Sequence, residues 1–295
     1  MKKVLITGGS GLLGNSMIRL NPGKLDIHAT YHSAFSKPNP NTHWHKVDLA
    51  DEDALKSLID TIQPDAIVHA GTIGSVDFAE KNREISYRIN VDATRIVAES
   101  AERLGAHMIF LSSNAVFNGE KPPYSEDDPV SPVNYYGELK VLGEEVTREF
   151  GGLTSIVRPI LMYGWPNEGR RGNLVTFWLS KLEAGEEIVA VNDVWSKPLW
   201  VDDASKTCWA VLNGRFEGTF NVCGGERVTL HGLASAVARN FGFDLQKVKA
   251  VPSSYFGDIA NRPKDTSFTN EKIQKVLGIN PLGVDEGLAA MSAAR

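Results

Sequence analysis

Hydrophobic and polar positions in the first half of the chain follow two alternating rhythms. Lys3-Val4-Leu5-Ile6-Thr7 is a β-rich apolar run that stops at a glycine cluster. Met17, Ile18 and Leu20 then keep helical spacing until Asn21-Pro22-Gly23 breaks it. Leu25 to Tyr31 and a segment near His45 to Val47 read as strands. A helix carrying Ala54, Leu55, Leu58 and Ile59 follows, ending at Pro64 before the buried run Ala66-Ile67-Val68-His69-Ala70. Ile85 to Leu104 reads as one long helix stopped by Gly105, and Met108 to Ser112 as the next strand. Continuous apolar strands alternating with amphipathic helices predict an α/β fold, a Rossmann-type doubly wound parallel sheet covered on both faces.

Beyond residue 112 the rhythm changes. Lys121 to Pro132 is a proline- and acid-rich loop, Tyr135 to Phe150 a helix, and Thr154 to Val157 a strand ending at Arg158-Pro159. Gly, Pro and Trp accumulate from Gly164 to Pro198. Leu199 to Leu212 and Gly218 to Val222 then read as a helix and a strand returning to the sheet. The expected organisation is a dinucleotide-binding core over 1–163, rejoined by 199–223, and a smaller C-terminal substrate-binding lobe within 164–295.

Composition excludes several function classes. At roughly 150 residues per domain, 295 residues make one large domain or two intimate ones. With 42% hydrophobic and 23% charged residues the chain is too apolar to be disordered. No run approaches the ~18 apolar residues of a membrane span. The apolar stretch behind Lys2 and Lys3 ends at Ile6, short of the ~7 to 15 residues of a signal-peptide core. Two cysteines, Cys208 and Cys223, make no disulfide framework, so a reducing cytoplasm is expected. A net charge of -5 provides no electrostatic footprint for nucleic acid.

The candidate chemistry begins at Gly8-Gly9-Ser10-Gly11-Leu12-Leu13-Gly14, between the first strand and the first helix. In a dinucleotide-binding turn, Gly8 permits the tight bend and Gly11 the approach of a pyrophosphate. Gly14 lets helix and strand pack closely, and the helix N-terminus offers N–H groups to the phosphates. Ser10, Leu12 and Leu13 are contacts of the same turn. This spacing resembles the extended short-chain dehydrogenase/reductase family, which implies Asp48-Leu49 beside the adenine and Ala70-Gly71 along the dinucleotide. An acid at the end of the second strand would hold a ribose 2′-hydroxyl and repel a 2′-phosphate. Here that stretch is Thr30-Tyr31-His32-Ser33, with Tyr31 at the cofactor and no carboxylate until Asp48. NADPH is the expected cofactor, with NAD as the alternative.

Tyr135-Tyr136-Gly137-Glu138-Leu139-Lys140 opens a predicted helix. Tyr136 and Lys140 lie about 40° apart around it, whereas Tyr135 and Lys140 lie about 140° apart. Only Tyr136 shares a face with Lys140. A phenol titrating near ~10 needs a nearby cation to transfer protons at neutral pH, and Lys140 supplies one while reaching toward a nicotinamide ribose. Ser113, just past a strand end, is placed to hydrogen-bond a carbonyl oxygen. Ser113, Tyr136 and Lys140 are the candidate catalytic residues.

Several segments together resemble the dTDP-4-dehydrorhamnose reductase family, essentially end to end. They are Ser112-Ser113-Asn114-Ala115-Val116-Phe117-Asn118-Gly119, Pro123-Tyr124-x-Glu126, Pro132-x-Asn134-x-Tyr136-Gly137-x-x-Lys140, Val76-Asp77-x-Ala79-Glu80, Arg158-Pro159-x-x-x-Tyr163-Gly164 and Arg262-Pro263-x-Asp265-x-Ser267. Similar chains include sugar-nucleotide reductases of related pathways and a regulatory subunit of methionine adenosyltransferase. The resemblance implies reduction of a 4-keto group on a nucleotide-linked 6-deoxyhexose, with a nucleotide sugar as partner and a homodimer left open. It implies cofactor contact at Pro159 and substrate contact at Ser113, Asn114, Asn173 and Arg262. For Asn173 a helix cap, and for Arg262 a surface ion pair, are the plainer alternatives. The chain departs from the family with Ser113 for threonine, Asn114 for an acid, Ala115 for an aromatic and Gly74 for a threonine. An epimerase or dehydratase retaining NAD, or a non-catalytic dinucleotide-binding subunit, are the rival functions.

Other residues promise less. His43-Trp44-His45 puts two imidazoles on one strand face, but no third ligand follows at a recognisable spacing, so no metal site is expected. Cys208 and Cys223 read as buried small hydrophobes, and Glu126, Asp127 and Asp128 as a solvated cluster. Trp165 and Trp195 are positioned to stack on a substrate base.

Overall fold

The structure is a computed structural model that describes residues 2–23, 25–33, 39–150, 152–257 and 260–295. Strands β1 (Lys3–Thr7), β2 (Asp26–Tyr31), β3 (Thr42–Lys46), β4 (Ala66–His69), β5 (His107–Leu111) and β6 (Thr154–Pro159) form most of a parallel sheet. Short strands β7 (Met162–Tyr163), β8 (Ile188–Val191), β9 (Trp195–Ser196) and β10 (Leu199–Trp200) come next. They precede β11 (Gly218–Val222), β12 (Val228–Thr229) and β13 (Val248–Val251). The seven-stranded sheet runs β11-β6-β5-β4-β1-β2-β3, so the strand order reverses between β1 and β4. In such sheets the ligand crevice opens at the carboxyl ends of the strands flanking that reversal.

The apolar runs are buried on both faces because alternate residues feed two cores. Val4, Ile6, Val68 and Ile109 pack on one side, and Leu5, Ile67, Met108 and Phe110 on the other. Each fully buried Leu or Ile contributes about 1.5–3 kcal/mol. Helix α1 (Leu12–Arg19) covers the first side. Helix α2 (Glu52–Ile62) covers the second and is capped by the Asp51 side chain, which accepts from the Ala54 amide at 3.0 Å. After α3 (Val76–Lys81) and α4 (Arg83–Tyr87) come α5 (Ala93–Leu104), which Gly105 ends at φ 64°, and α6 (Tyr135–Glu149), both on the second side. The rest of the chain adds α7 (Leu174–Glu183), α8 (Val201–Gly214), α9 (Leu230–Asn240), α10 (Glu271–Leu277) and α11 (Val284–Ala293).

The structure corrects some element boundaries. The third strand is Thr42–Lys46, displaced from the expected His45 to Val47, because this edge strand is only half-buried and lacks a clean apolar run. The expected helix from Ile85 to Leu104 is interrupted by a π-helical turn, Arg88–Asp92. That widened turn turns Asn90 inward, where its side chain accepts from Thr72 Oγ1 at 2.7 Å and from the Ile73 amide at 2.9 Å. Leu199–Trp200 pairs with β7 before α8 begins, so the helix expected from Leu199 starts at Val201. The loosely patterned 164–198 segment contains α7 and β8.

Candidate active site

The glycine turn folds as tightly as its sequence suggests. Gly8 has φ 67°, and a Cβ there would lie 2.8 Å from the Gly71 Cα. A Cβ on Gly14 would lie 2.6 Å from the Gly8 carbonyl oxygen, which holds α1 hard against the turn. Gly11 is the N-cap of α1 and brings no side chain to satisfy the first N–H groups. The Gly8 amide donates to Thr30 Oγ1 at 3.0 Å, fastening the turn to the end of β2. On the other side the Gly71 amide donates to Thr7 Oγ1, also at 3.0 Å, and Thr7 Oγ1 lies 2.8 Å from His69 Nδ1. Burial, with a smaller push from Lys140, lowers the His69 pKa to about 3 and keeps the ring neutral.

A cleft of 1090 Å³ runs from this turn to α6. Gly8, Ser10, Gly11, Leu12, Leu13, Gly14, Tyr31, Asp48, Leu49, Ala70, Gly71 and Pro159 line it, as do Ser113, Asn114, Tyr136, Lys140 and Arg262. The volume and the cradle suit a dinucleotide. The floor at Gly71 is so close that a Cβ would sit 2.5 Å from Leu49 Cδ1, and the open N-terminus of α1 faces the phosphate position.

Asn134 starts α6, its side chain accepting from the Gly137 amide at 2.9 Å. From that start Tyr136, Lys140 and Glu144 recur every fourth residue along one face. The Lys140 ammonium is 5.8 Å from the Tyr136 ring centroid and donates to the Leu111 carbonyl at 2.8 Å. Burial pushes Lys140 down to about 7, with Glu144 acting in the opposite direction. Burial raises the Tyr136 phenol, and a hydrogen bond with Ser113 opposes that rise. Burial would also raise Glu144, but hydrogen bonds and charge from Arg158, then Ser112 and Arg148, bring it below the usual range. Ser113 Oγ accepts from the Ala115 amide at 3.2 Å and donates to Asn114 Oδ1 at 3.3 Å. Asn114 in turn donates to Thr266 Oγ1 at 2.5 Å, tying the C-terminal segment to the site.

The remaining candidates fall in different places. Asn173 is not among the cleft residues. It caps α7, accepting from the Thr176 amide at 3.3 Å and donating to the Gly164 carbonyl at 2.7 Å. Arg262 reaches the cleft edge and also pairs with Asp77 at 2.7 Å. Trp195 lines the cleft with the Arg227 guanidinium 4.1 Å from its ring, whereas Trp165 packs edge-on against Phe241 away from it. Glu126 is more than a solvated acid, since it accepts from the Asn221 amide of β11 at 2.8 Å. Both cysteines are fully buried, with thiols pushed up to about 12 at Cys208 and about 11 at Cys223.

Sequence reasoning missed Arg170. It donates to Ser10 Oγ at 2.5 Å, to the Ser33 carbonyl at 2.7 Å and to Ser33 Oγ at 2.8 Å, crossing from the β7–α7 connection to the glycine turn. No local pattern marks it, because the contact spans more than a hundred residues. The Glu144–Arg158 pair was missed because the two residues lie on different elements, α6 and β6, and meet only when the helix packs on the sheet.

The chain is similar to known proteins over nearly its whole length. Over 97% of its length the chain is 30% identical to rat (Rattus norvegicus) methionine adenosyltransferase 2 subunit beta, covering 87% of that protein. Over 98% of its length it is 26% identical to a probable low-salt glycan biosynthesis reductase, Agl14, of Haloferax volcanii, covering 97% of it. The crystal structure of dTDP-4-dehydrorhamnose reductase from Bacillus anthracis in complex with NADP superposes over 100% of both chains with a TM-score of 0.88 and 26% identity. The family model for the RmlD substrate binding domain matches residues 1–294, and the chain therefore belongs to that family.

Proposed function

We propose that this protein is an NAD(P)H-dependent oxidoreductase that reduces the 4-keto group of a nucleotide-linked 6-deoxyhexose. The observation that carries this reading is the convergence of Ser113, Tyr136 and Lys140 in the cleft that begins at the glycine turn. Bound NAD(P)H would supply the hydride. The Ser113 hydroxyl and the Tyr136 phenol flank the position for a carbonyl oxygen, one polarising it and the other protonating it. Burial keeps Tyr136 protonated at neutral pH, as a proton donor must be. The Lys140 ammonium, 5.8 Å from the ring centroid, is placed to stabilise the phenolate that results. The Leu111 carbonyl aims Lys140, and Glu144 favours its charged form. The Bacillus anthracis reductase and the Agl14 reductase support the reaction class.

NADPH is the preferred cofactor in this reading. The end of β2 offers no carboxylate, and Arg170 brings a guanidinium to Ser33 there, beside the adenosine ribose position of this fold. The neighbour solved with NADP is consistent with this choice.

The test is a spectrophotometric assay of purified protein with NADPH and a panel of nucleotide-linked 4-keto-6-deoxyhexoses. Oxidation of NADPH with one of them is expected; a flat trace across the panel refutes the reductase reading. The match to methionine adenosyltransferase 2 subunit beta favours a second reading, a dinucleotide-holding subunit without turnover. A flat trace together with tight NADPH binding would establish that one instead.

A further inference from the structure

We propose that Asp26, His28 and His43 form a binding site for a first-row divalent cation of the zinc class, on the outer edge of the sheet and separate from the cleft. Sequence spacing offered only His43 and His45. The strand register supplies the rest. His28 of β2 is paired directly with His43 of β3, and Thr30 with His45. Because side chains alternate along a strand, Asp26, His28, His43 and His45 all project from one face.

The geometry on that face is close to a ligand set. His43 Nε2 is 3.2 Å from Asp26 Oδ1, and His28 Nε2 is 3.5 Å from Asp26 Oδ2. One donor atom from each of the three residues lies within 4.8 Å of the others. Tetrahedral zinc with nitrogen ligands at about 2.0–2.1 Å needs ligand atoms about 3.3 Å apart. Each imidazole already has that spacing to one of the two carboxylate oxygens, His43 to Oδ1 and His28 to Oδ2. The gap between the rings closes by rotation of His43, whose side chain is 65% exposed and stacked on His28 at 4.7 Å between centroids. Water would complete the coordination.

His45 acts as a positioning residue. Its Nε2 lies 2.9 Å from His28 Nδ1, and the two rings are nearly parallel at 9°. With the metal on His28 Nε2, the proton must sit on Nδ1 and be donated to His45, a second hydrogen bond typical of metal-ligating histidines. Lys3 stands opposite Asp26 across β1 and β2, but its ammonium is engaged by the Ile62 carbonyl at 2.9 Å. The bound cation would fasten the edge strand β3 to β2.

The experiment uses untagged full-length protein stripped with a chelator and titrated with Zn²⁺ by calorimetry, with Co²⁺ as the spectroscopic probe. One equivalent is expected to bind, to give a visible d–d band with Co²⁺ and to raise the Tm by a few degrees. His43→Ala and Asp26→Asn should each weaken binding at least about tenfold and remove the band, while His231→Ala leaves both unchanged. His45→Ala should weaken binding, and His45→Gln, which retains an acceptor, should restore most of it. Absence of binding at millimolar Zn²⁺, or binding unaltered in both His43→Ala and Asp26→Asn, overturns the proposal. His43 is exposed enough that its loss does not threaten folding.

Discussion

Arg158 meets Glu144 inside the protein through two hydrogen bonds of 2.7 Å, from Nε to Oε1 and from Nη2 to Oε2. Both side chains are almost completely removed from solvent, and Glu144 lies one helical turn beyond Lys140. Ser112, next to the candidate catalytic Ser113, donates to the same carboxylate at 2.6 Å. The pair therefore links α6, β6 and the strand end that presents the serine.

Removing Arg158 leaves the buried Glu144 carboxylate to the half-exposed Arg148, at 2.9 Å, for compensation. Arg158→Met should lower stability by about 3–5 kcal/mol, read by urea denaturation, whereas Glu144→Leu combined with Arg158→Met should recover much of the loss. A single variant as stable as the parent would show that the pair is not anchored as described.

Tyr136→Phe deletes only the phenolic oxygen. Turnover should fall by about 10²–10⁴-fold while NADPH affinity, followed by fluorescence titration, stays within about twofold. Retained activity would remove Tyr136 from the proton-transfer step.

Lys140 makes stability depend on pH with a definite sign. It titrates at about 7 in the folded protein, against about 10.4 in an unfolded chain. Between those values the unfolded state holds more protons, so stability rises with pH. Below pH 7 the ammonium is charged in both states and the folded state bears the whole desolvation cost, at most on the order of 5 kcal/mol. Lys140→Met should therefore raise the Tm most near about pH 6, with the gain shrinking toward about pH 10. A Tm difference independent of pH would mean that burial does not perturb Lys140.

Arg170→Met tests cofactor choice. Loss of a guanidinium at the ribose end should weaken NADPH binding about tenfold or more and leave NADH nearly unaffected. Equal losses for both cofactors would make Arg170 a structural clasp over the glycine turn and nothing more.

Much of this site was legible locally. The turn from Gly8 to Gly14 stands between a strand and a helix, and Tyr136 and Lys140 share a helical face by spacing alone. These features depend on neighbours within a few residues, where backbone geometry dictates the outcome. Asn173 shows the limit, since a side chain offered as a substrate contact sits at a helix start and serves as its cap. The π-helical turn was invisible for a related reason. Asn90 bonds to Thr72 and Ile73, so its cause lies in another segment.

The sequence by itself determined the alternation of strand and helix, the glycine turn, the Tyr136–Lys140 face and the net negative charge. Each follows from periodicity, steric freedom or charge counted along the chain. Only the tertiary structure decided that Arg170 reaches Ser33, that Arg158 closes on Glu144 and that Asp26 and His28 stand beside His43. Those pairings depend on strand order, register and helix packing, which bring together residues on different elements and which no local pattern encodes.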